Sequence, residues 1–135
     1  MKAGGYNRAM RKQVFTSSLA GGRAGSFPAV VDAGRYVFVS LQTAVDHDGV
    51  LHQSAAAAQA MGALENLRLH LQVAGLKLDD VVKLTTYVTD MAAASDVDAV
   101  LARAFEKPRP ARTMLAVAAL PGGAAVGIEA IASRY

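Results

Sequence analysis

The chain of 135 residues contains no cysteine and no tryptophan. Without thiols it has no disulfide framework, no thiolate nucleophile and no Cys-ligated metal site. That absence agrees with a reducing compartment, and the expected location is cytoplasmic. Aromatic residues make up 6%, so the core must be built from Ala, Val, Leu and Ile, with Met as filler. No run of 18 apolar residues occurs, so no segment reads as a membrane-spanning helix. Acidic residues are missing from the first 31 positions, which carry Lys2, Arg8, Arg11, Lys12 and Arg23. Such a stretch can mimic a transit peptide, but no continuous apolar segment follows the basic residues as a secretory signal requires. It reads as a flexible, solvated extension over residues 1–12, leaving 13–135 as a single domain.

The composition that remains supports a real core. Apolar residues account for 53% and charged residues for 19%, which suits one domain of ordinary size. The net charge of +3 is too mild to argue for nucleic-acid binding.

Periodicity and breakers then divide the chain. Val14–Ser17 reads as a short strand, and the glycine-rich 19–26 segment as a loop. Arg35–Leu41, aromatic and β-branched behind Gly34, predicts a strand. Asp46–Gly49 predicts a turn. Ser54 is positioned to cap a helix running to about Ala74, with Ala57, Met61, Leu64, Leu67, Leu71 and Ala74 on one face and Gly75 as its stop. Val81–Thr89 predicts a strand. Ser95 is positioned to cap a second helix with Val97, Val100, Leu101 and Ala104 inward, which Lys107–Pro110 ends. Arg112–Val117 and Ala125–Ala132 are the last strands. The order β-β-α-β-α-β-β predicts an α+β fold, a mixed sheet packed by two helices.

The histidines suggest no site. His47 and His52 flank a turn and His70 lies on a helix, at spacings that match no metal motif. Gly21–Gly25 lacks the Lys-Ser/Thr ending and strand–helix context of a phosphate loop. Ser40 has no His/Asp pairing that would make it an acyl-transfer nucleophile.

Three segments carry a resemblance. They are Val30–Gly34 with the strand ending Val39-Ser-Leu-Gln42; Ala74–Asp90; and Pro110-Ala-Arg-Thr113 followed by Val117, Leu120-Pro121 and Ile128-Glu-Ala-Ile-Ala132. On these the chain, from about residue 25 to 135, resembles the RidA (YjgF/L-PSP) family, whose fold is chorismate-mutase-like. The resemblance implies hydrolysis of small carboxylate-bearing enamines and imines, such as 2-aminoacrylate, to 2-keto acids and ammonia. It implies a homotrimer with sites between subunits, no cofactor and no metal. Some family names denote translation inhibitors or endoribonucleases, but the basic extension is the sole local support for RNA as a partner.

Carried over residue by residue, Arg112 matches the family arginine that holds the substrate carboxylate. A guanidinium suits that role, being a rigid, always charged, bidentate fork. On a strand, Arg112 shares a face with Met114 and Ala116. Ser40 matches a cleft serine that would orient the substrate or a water, or simply satisfy the strand end. Phe27 falls where the family often has Tyr and would wall the pocket. Asp98 falls where known members have Asn, and reads equally as a surface carboxylate. Tyr87 reads as sheet packing.

Three departures bear on chemistry. Leu41 follows Ser40 where family deaminases usually have glycine, Met114 replaces a frequent cysteine, and Gly127-Ile128-Glu129 stands where the family reads Glu-Ile-Glu. The first of those glutamates is the one thought to position the attacking water. Glu129 lies on the same face about 6.6–7 Å along the strand, beyond direct hydrogen-bond reach of the same spot, and reads as a carboxylate tied to a neighbouring strand or subunit. An imine deaminase with an atypical site, and a non-catalytic trimer that binds small carboxylates, both remain open.

Overall fold

Gly34 starts the architecture. A computed structural model of the chain describes residues 12–22 and 25–135, so residues 1–11 of the basic extension, and Arg23, lie outside the described residues. Gly34 adopts φ +100°, which glycine alone enters without strain, and its N–H donates to Asp32 Oδ1 at 2.8 Å. This tight turn joins β2 (Val30–Asp32) to β3 (Tyr36–Gln42). With β1 (Gln13–Phe15), β4 (Val81–Val88), β5 (Ala111–Ala116) and β6 (Val126–Ser133), they form one six-stranded sheet. The order across it is β1-β2-β3-β6-β4-β5. All pairings are antiparallel except β4–β5, which is parallel.

The expected α+β class is the one observed, with one strand more than the sequence reading had. β2 is three residues long, too short to show an alternating pattern. The first strand is also shorter than expected, ending at Phe15 rather than Ser17.

Two helices, α1 (Ala56–Val73) and α2 (Ala94–Ala104), cover one face of the sheet. The core joins Val37, Val39, Leu84, Val88, Ile128 and Ala130 of the sheet to Leu67 and Leu71 of α1 and Val97 and Leu101 of α2. α1 ends as expected. Gly75 takes φ +77°, Gly75 N–H reaches Gln72 O and Leu76 N–H reaches Leu71 O at 2.9 Å each, the two bonds of a Schellman stop.

The starts differ from expectation. Ala55, not Ser54, is the N-cap of α1 and offers no side-chain bond. Before α2, a 3₁₀ turn over Met91–Ala93 is capped by Asp90, which accepts from Ala92 N–H at 3.0 Å, so Ser95 lies inside the helix. Met61 is 60% exposed rather than in the core. The buried stripe of α1 is Gln59, Ala60, Ala63, Leu64, Asn66, Leu67, His70 and Leu71, and Met61 instead flanks a groove between the two helices. The other sheet face has no helix on it among the described residues. Tyr36, Phe38 and Ser40 are exposed there, while Lys83, Thr85, Tyr87, Glu129 and Ile131 are half-buried.

Candidate functional site

A bulge in β3 organises the bare face. Val39 pairs with Ala130 and Gln42 with Ile128, so Ser40 and Leu41 together oppose the single residue Glu129. Such a two-against-one arrangement bends a strand and re-aims its side chains. Here it turns Leu41 onto Gly127. A Cβ on Gly127 would lie 2.7 Å from Leu41 Cδ1 and 3.3 Å from Cγ, so leucine already occupies the volume a side chain at 127 would need.

Across β6 from the bulge, Tyr87 is the cross-strand partner of Gly127 and Thr85 that of Glu129. The Tyr87 hydroxyl reaches diagonally and donates to Glu129 Oε1 at 2.7 Å. This bond to a carboxylate holds the phenol's proton and raises its pKa, with burial and charge adding to the effect. Glu129 is thus tied to a neighbouring strand, one of the two roles the sequence allowed it. Tyr87 does more than pack.

Ser40 was expected to end a buried strand. Instead Ser40 is exposed, and the strand expected over Arg35–Leu41 runs on to Gln42. Its hydroxyl donates to Pro28 O at 2.9 Å, and it borders two clefts. One, of about 290 Å³, also holds Lys83, Thr85 and Glu129. The other, of about 220 Å³, is bounded by Phe27, Leu41, Gly21 and His70. Phe27 walls this second cleft while 86% exposed.

The glycine-rich loop bordering that cleft is clamped by α1, which the sequence did not reveal. Asn66 is buried, accepts from Gly21 N–H at 2.7 Å, and donates to Thr43 O and Val45 O at 2.9 and 3.0 Å. His70 Nδ1 accepts from Ser17 N–H at 3.1 Å, and burial lowers its pKa. Gln59 accepts from Ala125 N–H at 2.8 Å. The available signal was polar residues at 59, 66 and 70, on the same helical stripe as 60, 63, 67 and 71.

Arg112 lies elsewhere. It pairs with buried Leu84 in the parallel ladder, and Met114 with Thr86, so the two share a face as expected, and that face is the helix-covered one. Arg112 Nη2 is 3.3 Å from Asp98 Oδ1 of α2, with the two side chains 40% and 50% exposed. The pair opens on a cleft of about 240 Å³ with Phe105, Arg109 and Pro110. Between β3 and β5 stand β6 and β4, a separation of about 14 Å at ordinary strand spacing. One chain therefore does not bring Arg112 and Met114 together with Ser40, Leu41, Phe27 and Gly127. Arg112 and Met114 lie on the helix-covered face, whereas Ser40 and Gly127 lie on the bare one.

Among the described residues no cluster of three or more His, Asp or Glu forms a metal site, and no helix is long and apolar enough to cross a membrane. His52 instead pairs with Asp46 at 2.6 Å. Asp46 also accepts from Asp48 and Val50 N–H, which builds the expected turn.

Comparison with known proteins is consistent along the whole domain. A family model described as Endoribonuclease L-PSP matches residues 17–134. The chain is 35% identical to the 2-iminobutanoate/2-iminopropanoate deaminase of Salmonella typhimurium over 128 residues, 93% of this chain and 99% of that one. It is 32% identical to a RutC family protein of Pyrococcus horikoshii over 126 residues, again 93% and 99%. The solved structure of RidA from an Antarctic Psychrobacter superposes with a TM-score of 0.84 at 31% identity, covering 90% of this chain and 98% of that one.

Proposed function

The chain belongs to the Endoribonuclease L-PSP family, the RidA/YjgF group, and on that premise we propose that it hydrolyses small enamines or imines bearing a carboxylate, of the 2-aminoacrylate type, to 2-keto acids and ammonia. The observation that carries this reading is Arg112, a strand-held guanidinium with a single 3.3 Å ion pair at the mouth of a cleft. Its planar fork suits a carboxylate. Ser40, with nearby backbone N–H groups, orients the reacting centre, while Phe27, Leu41, Met114 and Gly127 shape the walls. The resemblance implies a homotrimer, and the separation of the two groups of residues within one chain supports a site shared between subunits. Arg112 and Met114 of one subunit then meet Ser40, Leu41, Phe27 and Gly127 of the next. The proposed setting is a reducing cytoplasm, which suits a chain without cysteine.

The test is keto-acid release from 2-aminoacrylate generated in situ. The wild type accelerates it and Arg112→Ala abolishes the acceleration; unchanged release by Arg112→Ala refutes the assignment. Light scattering at three times the chain mass is expected alongside, and a monomer mass contradicts the shared site.

A second reading, a non-catalytic trimer that binds small carboxylates, is favoured by Leu41 lying over Gly127, where the resembled deaminases carry their water-positioning glutamate. Calorimetric binding of 2-keto acids without any acceleration of imine hydrolysis is its signature.

A further inference from the structure

We infer that Glu129, steadied by Tyr87, positions and activates the water that attacks the imine carbon; the inference rests on the deaminase reading. Four observations converge on this carboxylate. The β3 bulge sets Ser40 and Leu41 directly opposite Glu129. Leu41 covers Gly127, so position 127 offers neither a carboxylate nor room for one. Tyr87, the cross-strand neighbour of Gly127, bonds to Glu129 Oε1 at 2.7 Å, which fixes one oxygen. Among the described residues Oε2 takes no hydrogen bond from the protein, and Glu129 lines a cleft of about 290 Å³ together with Ser40. A carboxylate with one oxygen anchored and the other unbonded, on a residue that lines a cleft, is arranged to hold a water. A general base requires that direct or one-water reach.

The step balances on these groups. The water oxygen bonds to the imine carbon as one water proton passes to Glu129. The C=N π pair becomes a lone pair on nitrogen, which takes that proton, giving a carbinolamine. In collapse, the hydroxyl proton travels through Glu129 to nitrogen, and the C–N bond breaks with its electron pair on nitrogen. Ketone and ammonia leave, and the carboxylate is restored. Tyr87 keeps its proton throughout and is a positioning residue.

Glu129→Gln preserves an acceptor for the Tyr87 hydroxyl, so it removes the base while keeping the contact. Steady-state keto-acid release from 2-aminoacrylate is measured over pH for wild type, Glu129→Gln, Glu129→Asp and Tyr87→Phe. The expected result is a kcat loss of about a hundredfold or more in Glu129→Gln. KM changes by less than about threefold and the acid limb of the kcat profile disappears. Tyr87→Phe retains the acid limb with a smaller loss of about tenfold, and a merely structural role would not separate the two variants in this way. Glu129→Asp, which keeps a carboxylate but shortens its reach, falls between them and serves if Glu129→Gln does not fold. A Glu129→Gln loss under about threefold, with a wild type that accelerates the reaction, overturns the role of Glu129 and leaves the deaminase reading standing. No acceleration by the wild type overturns both.

Discussion

Leu41 and Gly127 share one volume: Leu41 Cδ1 stands 2.7 Å from where a Cβ on Gly127 would be. The two positions are therefore coupled, and changes at either are expected to be non-additive. Gly127→Ala alone forces Leu41 out of its rotamer, an overpacking effect of about 1–3 kcal/mol. Leu41→Ala makes the space that alanine needs. In a denaturant-unfolding cycle, the double variant should be more stable than the sum of the singles by about 0.5 kcal/mol or more. Strict additivity would mean that Leu41 moves aside without cost. The same geometry says that Gly127→Glu needs Leu41→Gly beside it before activity is compared.

Asn66 makes the next prediction. It is buried and joins three backbone groups of two segments, Gly21, Thr43 and Val45. Asn66→Ala removes all three bonds to these half-buried partners, at about 0.5–1.5 kcal/mol for each bond lost. A loss of about 3 kcal/mol by urea unfolding is expected. Asn66→Asp should be at least as damaging, because its carboxylate oxygens would face the Thr43 and Val45 carbonyls. A loss below about 0.5 kcal/mol for Asn66→Ala would show that the loop is held by other contacts.

Asp98 competes for the guanidinium that the proposed substrate needs. The Arg112–Asp98 pair is half-exposed, and such pairs contribute about 0.2–1 kcal/mol. Asp98→Asn removes the competing charge. A 2-keto acid should then bind about two- to fivefold more tightly by calorimetry, with stability nearly unchanged. Weaker binding would indicate that Asp98 instead holds Arg112 in its productive orientation.

What could be read from the sequence follows a physical division. Helix stops and turns are local, so Gly75, Gly34 and the Asp46 turn were legible, as were the strands around Arg112 and Ile128. The sharing of a face by Arg112 and Met114 followed from strand period alone. The bulge at Ser40–Leu41 was not legible, because it exists only in the register of β3 against β6. The Leu41–Gly127 exchange was visible as two separate departures, yet their contact depends on that bulge. The Tyr87–Glu129 bond crosses two strands distant in sequence. On α1, apolar spacing placed Met61 in the core, whereas the true stripe includes Gln59, Asn66 and His70 because they serve loops rather than packing.

His70 gives a pH prediction with a definite sign. Its Nδ1 must be unprotonated to accept the Ser17 N–H, and it is 3% exposed. Burial lowers its pKa below the ordinary 6.5, so the unfolded chain takes up a proton before the folded one does. Stability from this site is therefore complete above about 6.5 and is lost as pH falls from there toward the lowered folded value. Asp46 acts in a different window. Its carboxyl is held low chiefly by the Val50 N–H, then by His52, so its contribution persists until pH drops below the ordinary 3.8. Unfolding measured from pH 7.5 to 5 in wild type and His70→Gln separates the two. The advantage of the wild type should be largest at pH 7.5 and shrink steadily toward pH 5. Protonation would also release Ser17 and the loop bordering the Phe27 cleft, so Ser17 amide exchange should quicken over the same range in wild type. An advantage constant with pH would mean that His70 stays neutral throughout, or that its bond to Ser17 adds nothing to the fold.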